Sequence, residues 1–305
     1  MIGEVGFIGL GAMGGALARR LAGQYSLVVF DTEPGRRDEL VAAGAQAASS
    51  AAEVAQRASV VLTCLPTSRH VEGLLTGPGG ILATLGSGGL VVDCTSGDPA
   101  ATRRLAEAAR EAGHALVDAP VSGGPQAAAA GSIAIMIGGA MVDVERARPV
   151  LEILSPNVRH VGPVGSGHCV KALNNLLAAA HRMLAFEAAA VVAAEGVNPQ
   201  TFIEVVNMSS GRSYATQVTM PRHLFDGDLV QGFSLGLMTK DVGLAVGMTG
   251  PRLPGLGLGA EVLARAEVFL ERFGPDADVN ELIGAYEELA GARVAVSRRP
   301  DGSTR

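Results

Sequence analysis

Residues 5–14 read VGFIGLGAMG, and this short stretch decides how the first half of the chain folds. It starts with an apolar run that has the composition of a buried β-strand. The alanine- and leucine-rich residues after it have the composition of a helix. Gly9, Gly11 and Gly14 allow the tight turn that joins such a strand to such a helix. The stretch therefore predicts a strand–turn–helix unit.

The same alternation continues over the first half of the chain. Continuous apolar runs are typical of strands that are covered on both faces. Alanine-rich stretches of helix length, such as residues 12–22 and 99–112, separate several of these runs. The alternation predicts a Rossmann-like α/β domain over residues 1–163. The predicted strands are residues 5–10, 26–31, 59–65, 90–95, 115–121 and 133–139.

After residue 163 the strand-like runs stop and only helical patterns follow. The longest covers about residues 166–195, and Asn198-Pro199 supplies a cap and a first-turn proline for the next helix. We predict an all-helical domain over residues 164–296 and a disordered tail over residues 297–305. Further helices are expected at about residues 234–248, 258–273 and 279–289, the last with Asp278 as its cap.

Composition argues against several classes of function. The net charge is -6 and the pI is near 5.6, whereas a nucleic-acid-binding protein needs a basic face. Cys64, Cys94 and Cys169 are odd in number and widely spaced, which indicates buried or reduced thiols and neither a disulfide framework nor a zinc site. The histidines show no metal-ligand spacing. The N-terminus has no signal-peptide pattern, and the apolar stretch 184–194 is too short to span a bilayer. We expect a cytoplasmic protein that binds no metal, membrane or nucleic acid.

The glycines of the opening stretch have the spacing of a dinucleotide-binding fingerprint. Gly9 allows the tight turn, Gly11 lets the backbone approach a pyrophosphate, and Gly14 lets the helix pack close to the sheet. The N-terminus of the helix offers free N–H groups and a positive dipole end to the phosphates. The predicted cofactor contacts of this turn are Gly9, Leu10, Gly11, Ala12, Met13 and Gly14.

Asp31 ends the second predicted strand and indicates which dinucleotide is bound. Its carboxylate can accept hydrogen bonds from the adenosine ribose hydroxyls and would repel a 2′-phosphate. Arg36 and Arg37 follow and soften that repulsion. We therefore favour NAD over NADP and place Thr32 in the cofactor site beside Asp31.

Three further segments follow predicted strands. Residues 64–66 (Cys64, Leu65 and Pro66) and Ser96 lie at carboxyl ends of strands, where open α/β sheets bind ligands. We predict cofactor contacts there, with plain strand-to-helix turns as the alternative. Ser122, Gly123 and Gly124 offer a hydroxyl and open amides that can hold a carboxylate, unless they form only a glycine turn.

The chain has only two lysines, Lys171 and Lys240, among its 24 lysines and arginines. Arginine cannot release its proton near neutral pH, so retained lysines point to sites that need an amine. The alternative is that both lysines escaped a drift toward arginine. A positioned amine can take the proton of an alcohol as the hydride leaves, and can return it. Asn174 and Asn175 lie on the same helix side as Lys171, and Asn175 can hold a hydroxyl or serve only in helix packing.

Four motifs in order, at residues 9–14, 118–124, 165–175 and 233–241, resemble the β-hydroxyacid dehydrogenases. This is the family of 3-hydroxyisobutyrate dehydrogenase and tartronate semialdehyde reductase, and the resemblance extends from Val5 to about Leu289. It implies an NAD-dependent oxidoreductase that interconverts a small 3-hydroxy acid and its semialdehyde by hydride transfer. It also implies a homodimer or homotetramer that assembles through the helices.

The resemblance also implies roles for single residues. Lys171 would be the general acid/base and Asn175 would bind the substrate, whose carboxylate residues 122–124 would hold. Leu65 and Ser96 would contact the cofactor, and Lys240 would face it across the domain cleft. Because the resemblance places the proton chemistry on the lysine, we interpret His168 as a polar residue at a helix start.

Other functions remain open from the sequence. An imine reductase resembles this family in fold, but those enzymes usually lack the catalytic lysine. A 6-phosphogluconate dehydrogenase-like enzyme needs several cations for a phosphate, and the helical half offers few beyond Arg212 and Arg222. A non-catalytic dinucleotide-binding protein has no reason to keep Lys171, Asn175 and Ser122 together.

Overall fold

A computed structural model of the chain describes residues 3–295. It contains two compact units, one that ends at Ala172 and one that begins at Leu173. This division falls inside a long helix, whereas the sequence analysis places the domain boundary between residues 163 and 164. The predicted disordered tail, residues 297–305, lies outside the described residues.

The first unit is built on a nine-stranded sheet whose strands run in the order β3-β2-β1-β4-β5-β6-β8-β7, with β9 on β8. Neighbours from β3 to β6 are parallel, whereas β8 is antiparallel to β6 and β7. The strands are β1 Val5–Ile8, β2 Leu27–Phe30, β3 Gln46–Ala47, β4 Val60–Thr63, β5 Leu90–Asp93, β6 Ala115–Asp118, β7 Val121–Ser122, β8 Ala134–Gly138 and β9 Val158–Gly162.

Helices cover both faces of this sheet. Phe7, Leu62 and Val92 pack on one face with α1, α2, α6 and α7, and the alternate residues Ile8 and Val61 pack on the other with α3, α4 and α5. Burial of both faces is the reason why these strands are continuous apolar runs. The helices are α1 Ala12–Leu21, α2 Pro34–Ala42, α3 Ala51–Arg57, α4 Ser68–Thr76, a 3₁₀ turn Ile81–Ala83, α5 Pro99–Glu111, α6 Gly124–Ala130 and α7 Met141–Leu154.

The observed strands differ from the predicted ones at three places. The predicted strand 115–121 is divided into β6 and β7 around Pro120, which has no N–H for a ladder. Two strands are missing from the prediction. β3 has two exposed residues, and β9 carries the exposed Arg159 and His160 among its residues, so neither forms a continuous apolar run.

Every regular element described in the second unit is a helix. Its core is formed by residues from each of these helices, including Phe186, Met220, Val242 and Phe269. The predicted α/β first half and all-helical second half are therefore confirmed. The helices are α8 Ser166–Ala194, which begins in the first unit, α9 Pro199–Asn207, a π-helix Ala215–Phe225, α10 Leu235–Thr249, α11 Gly259–Phe273 and α12 Ile283–Ala290.

The prediction that Asp278 caps the last helix is wrong. α12 begins only at Ile283. Asp278 Oδ2 accepts hydrogen bonds from the backbone N–H groups of Gln231 and Gly232, each at 2.8 Å, while Oδ1 accepts the N–H of Asn280 at 3.0 Å. Arg182 of α8, which is buried, donates to the Gln231 side chain at 3.0 Å. These bonds fix the loop that leads into α10.

α8 is long and apolar enough, by length and composition alone, to span a bilayer, and it is the one such helix among residues 3–295. About a third of its most apolar window is buried within the protein. A core helix of a helical domain passes the same test of length and composition. In this fold α8 supplies Phe186 and Arg182 to the interior of the second unit.

Candidate active site

The turn between β1 and α1 requires glycine at two of its three glycine positions. Gly9 has φ of +92°, and a Cβ on it would collide with the carbonyl oxygen of Cys64. A Cβ on Gly14 would overlap the carbonyl oxygen of Gly9. A Cβ on Gly11, however, would meet only Arg36 Nη1, at 3.9 Å. Gly9 and Gly14 therefore shape the turn, and Gly11 leaves its outer side open.

The open side of this turn is the N-terminus of α1. Gly11 is the capping residue, no side chain caps the helix, and its first turn holds no acidic residue. The N–H groups of Ala12 and Met13 and the positive end of the helix dipole are therefore available to an anion. These residues fit the pyrophosphate of a dinucleotide, which binds at such helix ends.

Asp31 has a structural task that the sequence analysis missed. Its Oδ2 accepts a hydrogen bond from the N–H of Leu10 at 2.6 Å, and its Oδ1 accepts one from the N–H of Glu33 at 2.9 Å. The side chain of Arg36 lies 3.6 Å from Oδ1. A carboxylate has about four acceptor sites, so Asp31 can hold the glycine turn and still accept a ribose hydroxyl. Thr32 beside it is exposed.

The segments after β4 and β5 are joined to each other by hydrogen bonds. The N–H of Leu65 donates to Thr95 Oγ1 at 3.1 Å, and Asp93 Oδ1 accepts from the hydroxyl of Thr63 and the N–H of Thr95. Three of the predicted cofactor residues are half-buried, namely Cys64, Leu65 and Ser96, and Pro66 is exposed. The neighbouring Cys94 thiol is buried, which raises its pKa. The sheet register places these segments at the same edge as the glycine turn and Asp31.

Ser122, Gly123 and Gly124 lie at a separate turn, where β7 ends and α6 begins. Gly123 has φ of 141° and Gly124 has φ of 79°, so the backbone there adopts a conformation that favours glycine. Ser122 is half-buried and Gly123 is exposed. Four strands, β4, β5, β6 and β8, lie between β1 and β7, so this turn and the glycine turn of β1 belong to different parts of the sheet.

The first turn of α8 is held by a buried carboxylate at the end of β6. Asp118, which is fully buried, accepts hydrogen bonds from the N–H of Gly165 at 2.6 Å and from the N–H of His168 at 2.8 Å. Burial raises the pKa of Asp118, and the His168 imidazole and the two N–H groups oppose this rise. Lys171 follows one turn later, and only 9 % of it is exposed. The lysine therefore stands on an anchored helix start.

Asn175 is oriented by an acidic residue that sequence reasoning missed. In the second unit its Nδ2 donates to Asp241 Oδ2 at 2.5 Å. The other oxygen of Asp241 lies 3.0 Å from Lys240 Nζ, and Asp241 itself is buried. Its position directly after the second lysine was the available signal. The structure thus brings Asn175, Asp241 and Lys240 together, while Lys171 stands four residues before Asn175 on α8.

The different surroundings of two glycines give a matched test of the β1–α1 turn. We expect Gly14→Ala to lower the free energy of unfolding by about 1–3 kcal/mol, because the new Cβ overlaps a backbone oxygen. Gly11→Ala should change it by less than about 0.5 kcal/mol. It should nevertheless weaken NADH binding about tenfold, equivalent to ~1.4 kcal/mol, because the pyrophosphate loses its close approach. Urea unfolding measures the free energy of unfolding of each variant, and a titration followed by NADH fluorescence measures its affinity for NADH. Unchanged NADH affinity in Gly11→Ala would contradict the assignment.

Comparisons with known proteins agree with a nucleotide-binding first unit and a helical second unit. Residues 4–162 match the family model for the NAD-binding domain of 6-phosphogluconate dehydrogenase. Residues 165–286 match the one described as NAD-binding of NADP-dependent 3-hydroxyisobutyrate dehydrogenase. The two matches together extend over both units.

Individual relatives cover most of the chain. It is 42 % identical to an NAD-dependent L-serine dehydrogenase of Pseudomonas aeruginosa, over 79 % of this chain and 84 % of the relative. It is 38 % identical to 2-(hydroxymethyl)glutarate dehydrogenase of Eubacterium barkeri, over 80 % and 81 %. A solved structure of Mycobacterium tuberculosis 3-hydroxyisobutyrate dehydrogenase with L-serine superimposes with a TM-score of 0.85 at 30 % identity, covering 93 % of this chain and 99 % of that one. The chain belongs to the β-hydroxyacid dehydrogenase family.

Proposed function

We propose that this protein is an NAD-dependent dehydrogenase that interconverts a small 3-hydroxy acid and its semialdehyde, with Lys171 as the general acid/base. The observation that carries the proposal is the placement of Lys171. It is a buried amine one turn into a helix whose start is fixed by Asp118. It is also one of only two lysines in the chain. An amine, unlike a guanidinium, can exchange a proton near neutral pH.

The names of the relatives suggest a narrower substrate class. 2-(Hydroxymethyl)glutarate, L-serine and 3-hydroxyisobutyrate are all 3-hydroxypropanoates with a substituent on carbon 2. Each has a primary alcohol two carbons from a carboxylate. We propose that the substrate of this protein shares that unit, with its carboxylate at Ser122, Gly123 and Gly124. The positive-φ glycines and the hydroxyl offer the donors that such a carboxylate needs.

The proposed chemistry divides between a few side chains. When bound, the nicotinamide ring accepts the hydride in oxidation and supplies it in reduction. The Lys171 amine takes the hydroxyl proton as the alcohol is oxidised and returns it to the carbonyl oxygen in the reverse direction. The Asn175 amide, held by Asp241, orients the hydroxyl toward that amine. Ser122 and the two glycine N–H groups hold the other end of the substrate.

A panel assay tests the function as a whole. We expect NAD reduction with at least one of L-serine, 3-hydroxyisobutyrate and 2-(hydroxymethyl)glutarate, and none with 6-phosphogluconate, which requires a phosphate-binding cluster of cations. NADH binding without turnover of any 3-hydroxy acid would instead support a non-catalytic dinucleotide-binding protein.

Exchange of each lysine for arginine tests the assignment of the acid/base. Lys171→Arg should lower kcat nearly as far as Lys171→Ala, by about 10²–10⁴-fold, because arginine keeps the charge but not the proton exchange. Lys240→Arg is the matched control and should have a milder effect, since a cation beside Asp241 is retained. Near-normal turnover by Lys171→Arg would show that the lysine acts only through its charge.

Asp31 supports a preference for NAD over NADP, since its carboxylate repels a 2′-phosphate. Asp31→Ser should lower kcat/KM with NAD and raise it with NADP. The ratio of kcat/KM with NAD to kcat/KM with NADP should therefore fall about tenfold, equivalent to ~1.4 kcal/mol. Arg36, already 3.6 Å from this carboxylate, would then be available to the phosphate. Asp31→Asn is the control, because its amide oxygen can still accept the N–H of Leu10 while the negative charge is removed. A preference for NADP in the unaltered protein would contradict the proposal.

α8 also supports the proposed homodimer or homotetramer. Val170, Leu177, Leu184 and Val191 are between 40 % and 62 % exposed, and their seven-residue spacing places them in one apolar stripe along the helix. A second copy of the chain would cover such a stripe. We propose that assembly uses the helical residues from about 166 to 290.

Light scattering tests this assembly. The unaltered protein should have the mass of a dimer or tetramer at micromolar concentration, and Leu184→Glu should lower that mass because it places a charge in the apolar stripe. Val142→Glu is the matched control: Val142 is equally apolar and exposed, but it lies on α7. A monomeric unaltered protein would contradict the proposal.

A further inference from the structure

The imidazole of His168 is buried between two parts of the first unit that the proposed function uses. Only 1 % of the residue is exposed. Its Nδ1 lies 2.7 Å from Thr102 Oγ1 of α5. The ring also packs against the loop that carries Ser96, because a Cβ on Gly97 would lie 3.0 Å from His168 Cε1. One ring therefore contacts the loop of a predicted cofactor residue and belongs to the helix of Lys171.

The hydroxyl of Thr102 indicates which ring nitrogen carries a proton. Thr102 Oγ1 donates to the carbonyl oxygen of Asp98 at 2.9 Å. A hydroxyl has a single proton, so while Thr102 donates to Asp98, Nδ1–H of His168 is the donor in the contact with Thr102 Oγ1. Nε2 then faces Asp93, whose Oδ2 is 4.0 Å away. The contacts with Thr102 and Gly97 hold the ring between α5 and the loop that carries Ser96.

The second ring nitrogen makes no hydrogen bond in this packing. Among residues 3–295, His168 Nε2 has no protein hydrogen-bond partner, although it is buried. A buried polar atom without a partner costs free energy, and an apolar side chain of similar size would avoid that cost. The presence of an imidazole at this position therefore calls for a role other than filling space.

The backbone of His168 connects the ring to the catalytic helix. Its N–H donates to Asp118 Oδ2 at 2.8 Å, while Asp118 Oδ1 accepts the N–H of Gly165 at 2.6 Å. Lys171 is three residues further along the helix, which is slightly less than one turn. A shift of this first turn relative to α5 would therefore move the lysine.

We propose that His168 is a positioning residue for the proton transfer, an inference that rests on the proposed role of Lys171. Its Nδ1–H bond to Thr102 and its contact with Gly97 fix the first turn of α8 against the loop that carries Ser96. The lysine amine is thereby held at a constant distance from the cofactor loop. A displacement of about 1 Å in such an arrangement costs on the order of 10²-fold in rate.

Two substitutions of His168 separate positioning from packing. In His168→Asn the amide nitrogen is attached to the same carbon as Nδ1 and can still donate to Thr102. His168→Leu has apolar volume but no donor. We expect His168→Leu to lower kcat by about 10–100-fold, with NADH affinity and KM for NAD within about twofold of normal. His168→Asn should recover kcat to within about threefold of the unaltered enzyme.

A third variant and an isotope effect make the test independent of folding defects. Thr102→Val removes the acceptor while the imidazole stays. It should lower kcat as His168→Leu does, and the double variant should be no worse than either alone, because both remove the same bond. With substrate deuterated at the carbinol carbon, the isotope effect on kcat should rise in His168→Leu, since the displaced lysine slows the chemical step. A purely structural role would lower only the melting temperature.

The controls distinguish failure of this inference from failure of the proposed function. If the unaltered protein oxidises no 3-hydroxy acid, or if Lys171→Ala retains turnover, the proposed function is wrong and the inference falls with it. If Lys171→Ala is inactive, three results overturn the positioning role alone. These are normal kcat in His168→Leu, a loss confined to thermal stability, or His168→Asn no better than His168→Leu.

Discussion

The buried Asp118 carboxylate is the group on which the arrangement of the candidate site depends. The first N–H groups of a helix have no partner within the helix, and a carboxylate buried without hydrogen bonds is costly. At the end of β6 Asp118 accepts the N–H groups of Gly165 and His168, so the helix N–H groups and the buried carboxylate each have a hydrogen-bond partner. The start of α8 is thereby tied to the sheet, and Lys171 is carried into a fixed, buried position.

Two other aspartates act in the same way elsewhere in the protein. Asp31 holds the glycine turn through the N–H of Leu10, and Asp241 orients the Asn175 amide and pairs with Lys240. In each case a carboxylate that is almost fully buried is paired, and the group that it holds is a candidate for cofactor or substrate binding. Buried charges are tolerated when they are paired in this way, and they fix geometry more firmly than an apolar contact does.

The sequence predicted the elements whose physical cause is local. Apolar runs identified the strands of the sheet centre, and Asn198 and Ser234 cap helices close to the predicted starts. The short edge strand β3 and the polar β9 left no such pattern. Asp278 stands where a cap would, but only one of its oxygens accepts a nearby N–H, that of Asn280, and the other binds two N–H groups of a distant loop. The tasks of Asp31 and His168 depend on Leu10 and Thr102, which are far away in sequence, so spacing alone could not reveal them. Asp241 left one local signal, its place after Lys240, but its bond to Asn175 is also distant.

Lys171 is the proposed proton-transfer group, and this role can be tested directly because the chain has only two lysines. Labelling with ε-¹³C lysine gives two Cε signals, which Lys240→Arg assigns. The pH dependence of kcat/KM reports groups of the free enzyme. We expect the Lys171 signal to titrate at the same pH at which kcat/KM for alcohol oxidation falls on acidification, since only the neutral amine accepts a proton. A fall in kcat/KM at a pH where the Lys171 signal does not titrate would contradict it.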